Sequence, residues 1–131
     1  ANYVPYVKSN KLIFVSGQIP MLNGELVTGK IGKNIEIEDA KTAARLCGLS
    51  IVSQLNEATD LDLDKIKRIV KLGGFVNCVD EFTQQPEIIN GASDLMVEVF
   101  GDKGKHSRFA VGTNSLPRNV VVEIEAIAEI H

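Results

Sequence analysis

The spacing of hydrophobic residues changes several times along the chain, and each change marks a predicted element. Residues 11–16 form a short apolar run rich in β-forming residues, which predicts a strand. A turn at Asn23-Gly24 then indicates a short hairpin and loop. From about Glu38 the apolar residues recur at i, i+4, i+7, i+11 and i+15, the pattern of one helix face.

The second half of the chain again alternates between strand and helix patterns. The predicted elements are strands at residues 66–76, 107–112 and 119–129 and a helix from Thr83 to Gly101. Pro86 falls in the first turn of that helix, where its missing N–H costs nothing. The pair Gly73-Gly74 suggests a bulge or a close backbone approach. No linker or internal repeat interrupts the order β-β(-β)-α-β-α-β-β, so we expect one α+β domain over residues 1–131.

The last strand predicts a sheet with two different faces. One face carries Val120, Val122, Ile124, Ala126 and Ala128, and the other carries Val121, Glu123, Glu125, Ile127 and Glu129. Two helices cover only one face of such a sheet, so the other must be wet or covered by a partner. Because residues 11–15 and 109–111 are apolar on both faces, we expect subunits to associate through these sheet faces, with sites in the clefts between them.

Composition narrows the class of protein. The chain has 131 residues, 44% of them hydrophobic and 24% charged, which suits one globular domain without metal or disulfide support. The net charge of −3 and the scattered Lys and Arg argue against a nucleic-acid partner. Cys47 and Cys78 form no Cys-x-x-Cys pair, which favours reduced thiols and a cytoplasmic location.

Nothing in the sequence indicates a membrane partner. No apolar run approaches the ~20 residues that a transmembrane helix needs, and no secretory signal opens the chain. The first residue is Ala1 rather than Met, which leaves room for native residues before it.

Arg108 is the residue that most suggests a ligand site. It begins an otherwise apolar strand, where a charged side chain is costly unless it is paired. Its planar guanidinium can hold a carboxylate through two hydrogen bonds, so it suits an organic acid; the alternative is a structural pair with Glu98. Glu123 lies fifteen residues later, and a short turn at Leu116-Pro117 would bring it beside Arg108. Alternatively, Glu123 is a solvated sheet residue.

Other candidates carry weaker signals. Tyr6 and Asn90 could each donate a hydrogen bond to a ligand. Cys47 lies on the apolar stripe of the first helix and is expected to be an inert core thiol. His106 and His131 are the only histidines, and no cluster of Cys, His and carboxylates has the spacing of a metal site, so no metal is expected.

Four segments together resemble the Rid (YjgF-type) family of reactive-intermediate deaminases. They are Pro5-Tyr6; Val-Ser-Gly-Gln-Ile-Pro at 15–20; residues 69–77; and Ser107-Arg108 followed by Leu116-Pro117 and Val-Glu-Ile-Glu-Ala-Ile-Ala at 122–128. The resemblance implies a chorismate-mutase-like two-layer sandwich, with a mixed sheet and two helices on one face. It also implies a homotrimer with three sites between neighbouring subunits.

The resemblance further implies hydrolysis of 2-imino acids and their 2-aminoacrylate-type enamines to 2-keto acids and ammonia, without a cofactor. In that reading Arg108 binds the substrate carboxylate and Glu123 lies near the attacking water. The remaining substrate-binding residues would be Tyr6, Gly17, the backbone near Ala110, and Asn90 if one loop residue is inserted before Arg108.

The sequence departs from the family pattern in two places. Arg108-Phe109-Ala110 stands where many of these deaminases have Arg-Ser-Cys, and residues 90–95 resemble a divergent subgroup. Two other functions therefore stay open. One is a non-catalytic trimer that binds small carboxylic acids. The other is an endoribonuclease, which the acidic charge and the lack of a histidine pair disfavour.

Overall fold

Two helices pack on one face of a mixed five-stranded sheet in the computed structural model, which describes residues 1–131. The strands are β1 (Tyr6–Ser9), β2 (Leu12–Gln18), β3 (Met21–Leu22), β4 (Glu25–Leu26), β5 (Ile66–Asn77), β6 (Ser107–Thr113) and β7 (Val122–Ile130). The helices are α1 (Ile37–Ala58) and α2 (Gln85–Phe100), with short 3₁₀ turns at Leu63–Lys65, Gly101–Gly104 and Pro117–Asn119. The predicted α+β architecture is confirmed.

The five strands lie in the order β1-β2-β7-β5-β6, and β3 and β4 form a separate small hairpin. Neighbours are antiparallel except β5 and β6, which are parallel because α2 carries the chain back across the sheet between them. At the hairpin, Asn23 and Gly24 have φ of 54° and 81°, the left-handed pair that a two-residue turn requires.

The core lies between the helices and the sheet. The stripe predicted for the first helix is fully buried: Ala40, Ala44, Cys47, Ile51 and Leu55. Burial also raises the pKa of the Cys47 thiol, in keeping with an inert core cysteine. The helices approach closely at Gly91, where a Cβ would collide with the backbone carbonyl of Lys41.

Two details differ from the sequence prediction. The edge strand β1 was not predicted, because its four residues are mostly exposed and it is a strand by virtue of pairing with β2. Val121 was assigned to the uncovered face, but it is fully buried. Val121 precedes β7, and its carbonyl accepts a hydrogen bond from the Asn77 N–H at 2.8 Å. The alternation of buried and exposed side chains along β7 therefore begins only at Val122.

The face of the sheet away from the helices carries exposed apolar side chains, as predicted, beside the glutamates of β7. Phe14, Phe75 and Val111 stay between 38% and 42% exposed on the single chain. Phe109 lies over Gly73, whose absent Cβ would be 2.6 Å from the ring, and packs edge-on against Phe75. The glycine pair therefore leaves space for side chains, and neither a bulge nor a close approach of another backbone is found at residues 73–74. Neither helix is long and apolar enough to cross a bilayer.

Candidate functional site

Arg108 projects from the edge strand β6 toward α2, and oxygens of α2 hold its guanidinium. Nη1 donates to the Asn90 side-chain oxygen at 2.9 Å and to the Ser93 hydroxyl at 3.0 Å. Nη2 donates to the Pro86 carbonyl at 3.4 Å. Arg108 and Asn90, two of the predicted site residues, are therefore in direct contact.

No carboxylate pairs with Arg108 anywhere in the chain. Glu98, the structural partner considered from the sequence, instead forms an ion pair with Arg45 at 3.0 Å, so that alternative is wrong. The three acceptors of Arg108 are all neutral, and a half-buried cation with neutral partners keeps its full charge for a ligand. The arrangement suits capture of an anion.

Ser93 connects Arg108 to His106. The Nδ1 of His106 lies 2.6 Å from the Gly104 carbonyl, to which it must donate, and Nε2 lies 2.9 Å from the Ser93 oxygen. In the neutral imidazole Nε2 is therefore an acceptor, and the Ser93 hydroxyl donates to it while accepting from Arg108. Sequence patterning gave no role to Ser93 or to this histidine.

Glu123 and Gly17 meet in a cavity of about 530 Å³ that is also lined by Ser50 and Gln54 of α1. Glycine is needed at position 17 for space, because a Cβ there would collide with the Glu123 carboxylate. The backbone irregularity between Val15 and Gln18 in the pairing of β2 with β7 lies at the same place. Gly17 is thus the residue that lets the carboxylate fold against the strand.

The environment of Glu123 favours its protonated form. Partial burial raises the carboxyl pKa, and the nearby negative charge of Glu125 raises it further. The Glu123 carboxylate makes no ion pair and no hydrogen bond within the chain. Such a group can both accept and donate a proton closer to neutral pH than an ordinary glutamate.

The predicted adjacency of Arg108 and Glu123 within one chain is wrong. Strand β5 lies between β6 and β7, so the connection after β6 passes over it instead of making a hairpin. The two side chains also point to opposite faces: Arg108 is level with buried Leu72, and Glu123 is level with exposed Phe75. Within one chain, Arg108 and Glu123 therefore lie in two separate regions.

The two remaining predicted residues, Ala110 and Tyr6, both pack against the core. Ala110 lies on the same face of β6 as Arg108 and packs against the core. Tyr6 pairs with Val15 and also packs against the core, and it does not line the Glu123 cavity.

Tyr3 and Arg118 are among the cavity residues that were not predicted. Both lie outside the periodic segments, so no hydrophobic pattern marks them. A usable signal for Arg118 was its place in the loop just before the strand of Glu123, since loop residues next to a strand end often carry function. No group of three or more His, Cys, Asp or Glu residues is placed to hold a metal ion.

Comparison with known proteins links this geometry to one family. The sequence model described as "YjgF/chorismate_mutase-like, putative endoribonuclease" matches residues 1–130. Protein TCP17 of Trypanosoma cruzi is 45% identical over 132 residues, which cover 99% of this chain and 82% of that protein.

Solved structures agree on the fold. A protein of unknown function from Agrobacterium tumefaciens is 49% identical, with a TM-score of 0.97 over 100% of this chain and 83% of its own. Escherichia coli TdcF with bound serine is 26% identical, with a TM-score of 0.67 over 100% of this chain and 90% of its own.

Proposed function

Because this chain belongs to the YjgF/chorismate-mutase-like family, we propose that it hydrolyses 2-imino acids and their enamine tautomers to 2-keto acids and ammonia. Arg108 binds the substrate carboxylate, and Glu123 moves the protons. The TdcF relative binds serine, a small molecule with the same carboxylate end, which supports a ligand of this class.

The observation that carries the proposal is the unpaired charge of Arg108. Its guanidinium is oriented by Asn90, Ser93 and the Pro86 carbonyl, none of which neutralises it. A structural arginine in a half-buried position would be expected to have a carboxylate partner. An oriented cation without one is arranged to receive an anion from outside the chain.

The active assembly in this proposal is a homotrimer, with each site between two chains. Arg108 and Glu123 lie on different strands and on opposite faces of one chain, so only a second chain can supply the missing half. The exposed apolar face formed by Phe14, Phe75 and Val111 gives that second chain a surface to bury. In a cyclic trimer every chain contributes one half to each of two sites.

The reaction needs only positioning and proton transfer. With the carboxylate held by Arg108, water attacks the carbon of the protonated imine, and the C=N electron pair moves to nitrogen. The Glu123 carboxylate takes the proton that the attacking water loses and returns it to the amino group. The carbinolamine then collapses: the C–N bond breaks, ammonia leaves, and the hydroxyl proton passes to Glu123 as the keto group forms.

Generating 2-aminoacrylate in situ and following pyruvate and ammonia above the buffer rate tests this function. We expect the wild-type protein to accelerate release of both products. Arg108→Ala should reduce kcat/KM by at least about a hundredfold, because it removes a charge-assisted, bidentate contact.

Arg68→Ala is the matched control, since Arg68 is an exposed arginine of the same sheet whose side chain makes one hydrogen bond, to the Lys105 carbonyl. It should retain wild-type activity. Equal product formation by wild type and Arg108→Ala would reject the proposed catalysis. Keto-acid binding that depends on Arg108, without any acceleration, would instead identify a carboxylate-binding module.

A further inference from the structure

The cavity that holds Glu123 is also lined by an arginine, Arg118, which is distinct from Arg108. Its side chain makes no hydrogen bond and no ion pair within residues 1–131. Glu123 lines the same cavity, yet the two charges are not paired. The cavity therefore contains a free cation in addition to its proton-transfer group.

The backbone fixes Arg118 in an unusual conformation. Arg118 and Asn119 have φ of 55° and 59°, consecutive left-handed residues that are not glycine. The turn is held from two sides: the Asn119 N–H donates to the Leu116 carbonyl at 3.0 Å, and the Asn119 carbonyl accepts from the Gly29 N–H at 2.9 Å. Such strain persists only where the surroundings determine the conformation, and it concentrates at ligand-binding positions.

The cavity as a whole is larger than a three-carbon acid requires. Its volume is about 530 Å³, within the range of pockets that bind whole metabolites. The side-chain oxygen of Gln54 is buried there without a hydrogen-bond partner. Ser50 donates to Gln18 at 2.5 Å, which orients a second amide at the same wall.

From these features we infer that Arg118 binds a second anionic group of the ligand, so that the preferred substrates are 2-imino dicarboxylic acids. The inference rests on the proposed function for the position of the first carboxylate, at Arg108 of a neighbouring chain. Arg118 then holds the carboxylate at the far end of a four- or five-carbon chain, with the reacting carbon beside Glu123. Arg118 is a specificity-determining residue in this arrangement, not a proton-transfer group.

The test compares two product-like ligands of equal length by calorimetry, 2-oxoglutarate and 2-oxopentanoate, which differ only at the far end. We expect the wild-type protein to bind 2-oxoglutarate about tenfold more tightly, the value of one charge-assisted contact. Arg118→Asn should abolish that preference and leave the affinity for 2-oxopentanoate unchanged. Asparagine removes the charge but tolerates the left-handed backbone, so the turn is preserved.

Two further variants complete the test. Arg118→Lys should keep part of the preference, and Lys103→Ala, at an exposed cation in the turn Gly101–Gly104 outside the cavity, should keep all of it. The inference is overturned if the wild type has no preference, if Arg118→Asn keeps it, or if Arg118→Asn weakens both ligands equally.

These outcomes are separable from the failure of the proposed hydrolysis. A preference for 2-oxoglutarate that depends on Arg118, without any acceleration of imine hydrolysis, would support the second anion site and reject the proposed catalysis. Hydrolysis of 2-aminoacrylate with equal affinity for both keto acids would support the proposed catalysis and reject the second anion site.

Discussion

At Glu123, two neighbouring effects act on the carboxyl pKa in the same direction, since burial and the charge of Glu125 both raise it. The proposed base must be ionised to accept a proton from water. The kcat/KM of the protein should therefore fall as the pH drops through the pKa of Glu123, which lies above the ordinary glutamate value. Burial is the larger of the two causes, so most of the rise belongs to the position itself.

Replacing Glu125 with Gln removes only the smaller cause and should shift the acidic limb of the pH–rate profile to lower pH. The limb should stay above the ordinary glutamate value, because burial remains. Profiles of kcat/KM against pH measure this shift. Glu129→Gln, on the same face of β7 but farther along the strand, should leave the limb in place. An acidic limb that moves upward or stays fixed in Glu125→Gln would show that another group controls it.

Single residues also differ in whether the sequence alone could predict their place in the site. Arg108 was identifiable because a charge in an apolar strand needs a reason, and its contact with Asn90 brings two of the predicted site residues together. Arg118 and Tyr3 gave no such signal, because an exposed loop residue follows no period. The role of Gly17 depends on the side-chain path of Glu123, which only the folded chain reveals.

At the scale of elements, the contact between the two helices depends on two glycines. At Gly91 an added Cβ would meet the backbone carbonyl of Lys41, which cannot move independently of α1. At Gly48 it would meet the end of the Leu95 side chain at 2.9 Å, which can change rotamer. The two positions therefore differ in what a methyl group would displace.

Gly91→Ala should destabilise the protein by about 1–3 kcal/mol, through overpacking at the helix contact. This reverses the usual gain of up to ~1 kcal/mol from Gly→Ala in a helix interior. Urea unfolding, with the slope held constant, measures the difference. Gly48→Ala is the control at the same helix contact, and it should lower the free energy of unfolding by clearly less. A Gly91→Ala protein as stable as wild type would mean that the helices are not in contact at this glycine.

The spacing of hydrophobic residues predicted both helices and most of the strands, but it did not predict the order of the strands in the sheet. Both helices and the strands β2, β5, β6 and β7 are found within a few residues of the predicted bounds. The order of strands depends on pairing between distant segments, which a local pattern does not encode. For this reason the step from β6 to β7 was taken for a hairpin, when β5 actually separates the two strands.

At the scale of the whole molecule, the separation of Arg108 from Glu123 within one chain becomes the basis of the proposed function. A site that needs Arg108 from one chain and Glu123 from another can exist only in an assembly. The exposed apolar side chains of the sheet would be buried between chains in that assembly. The same arrangement predicts that two inactive variants can restore each other.

Subunit mixing tests this claim most directly. Arg108→Ala and Glu123→Gln are each expected to be inactive alone. They are unfolded together, refolded at a 1:1 ratio, and assayed for imine hydrolysis. Random cyclic trimers are mixed in about three cases of four, and each mixed trimer has one site with both residues intact, so about a quarter of the wild-type activity should return. Activity no higher than that of the separate variants would contradict a site shared between chains.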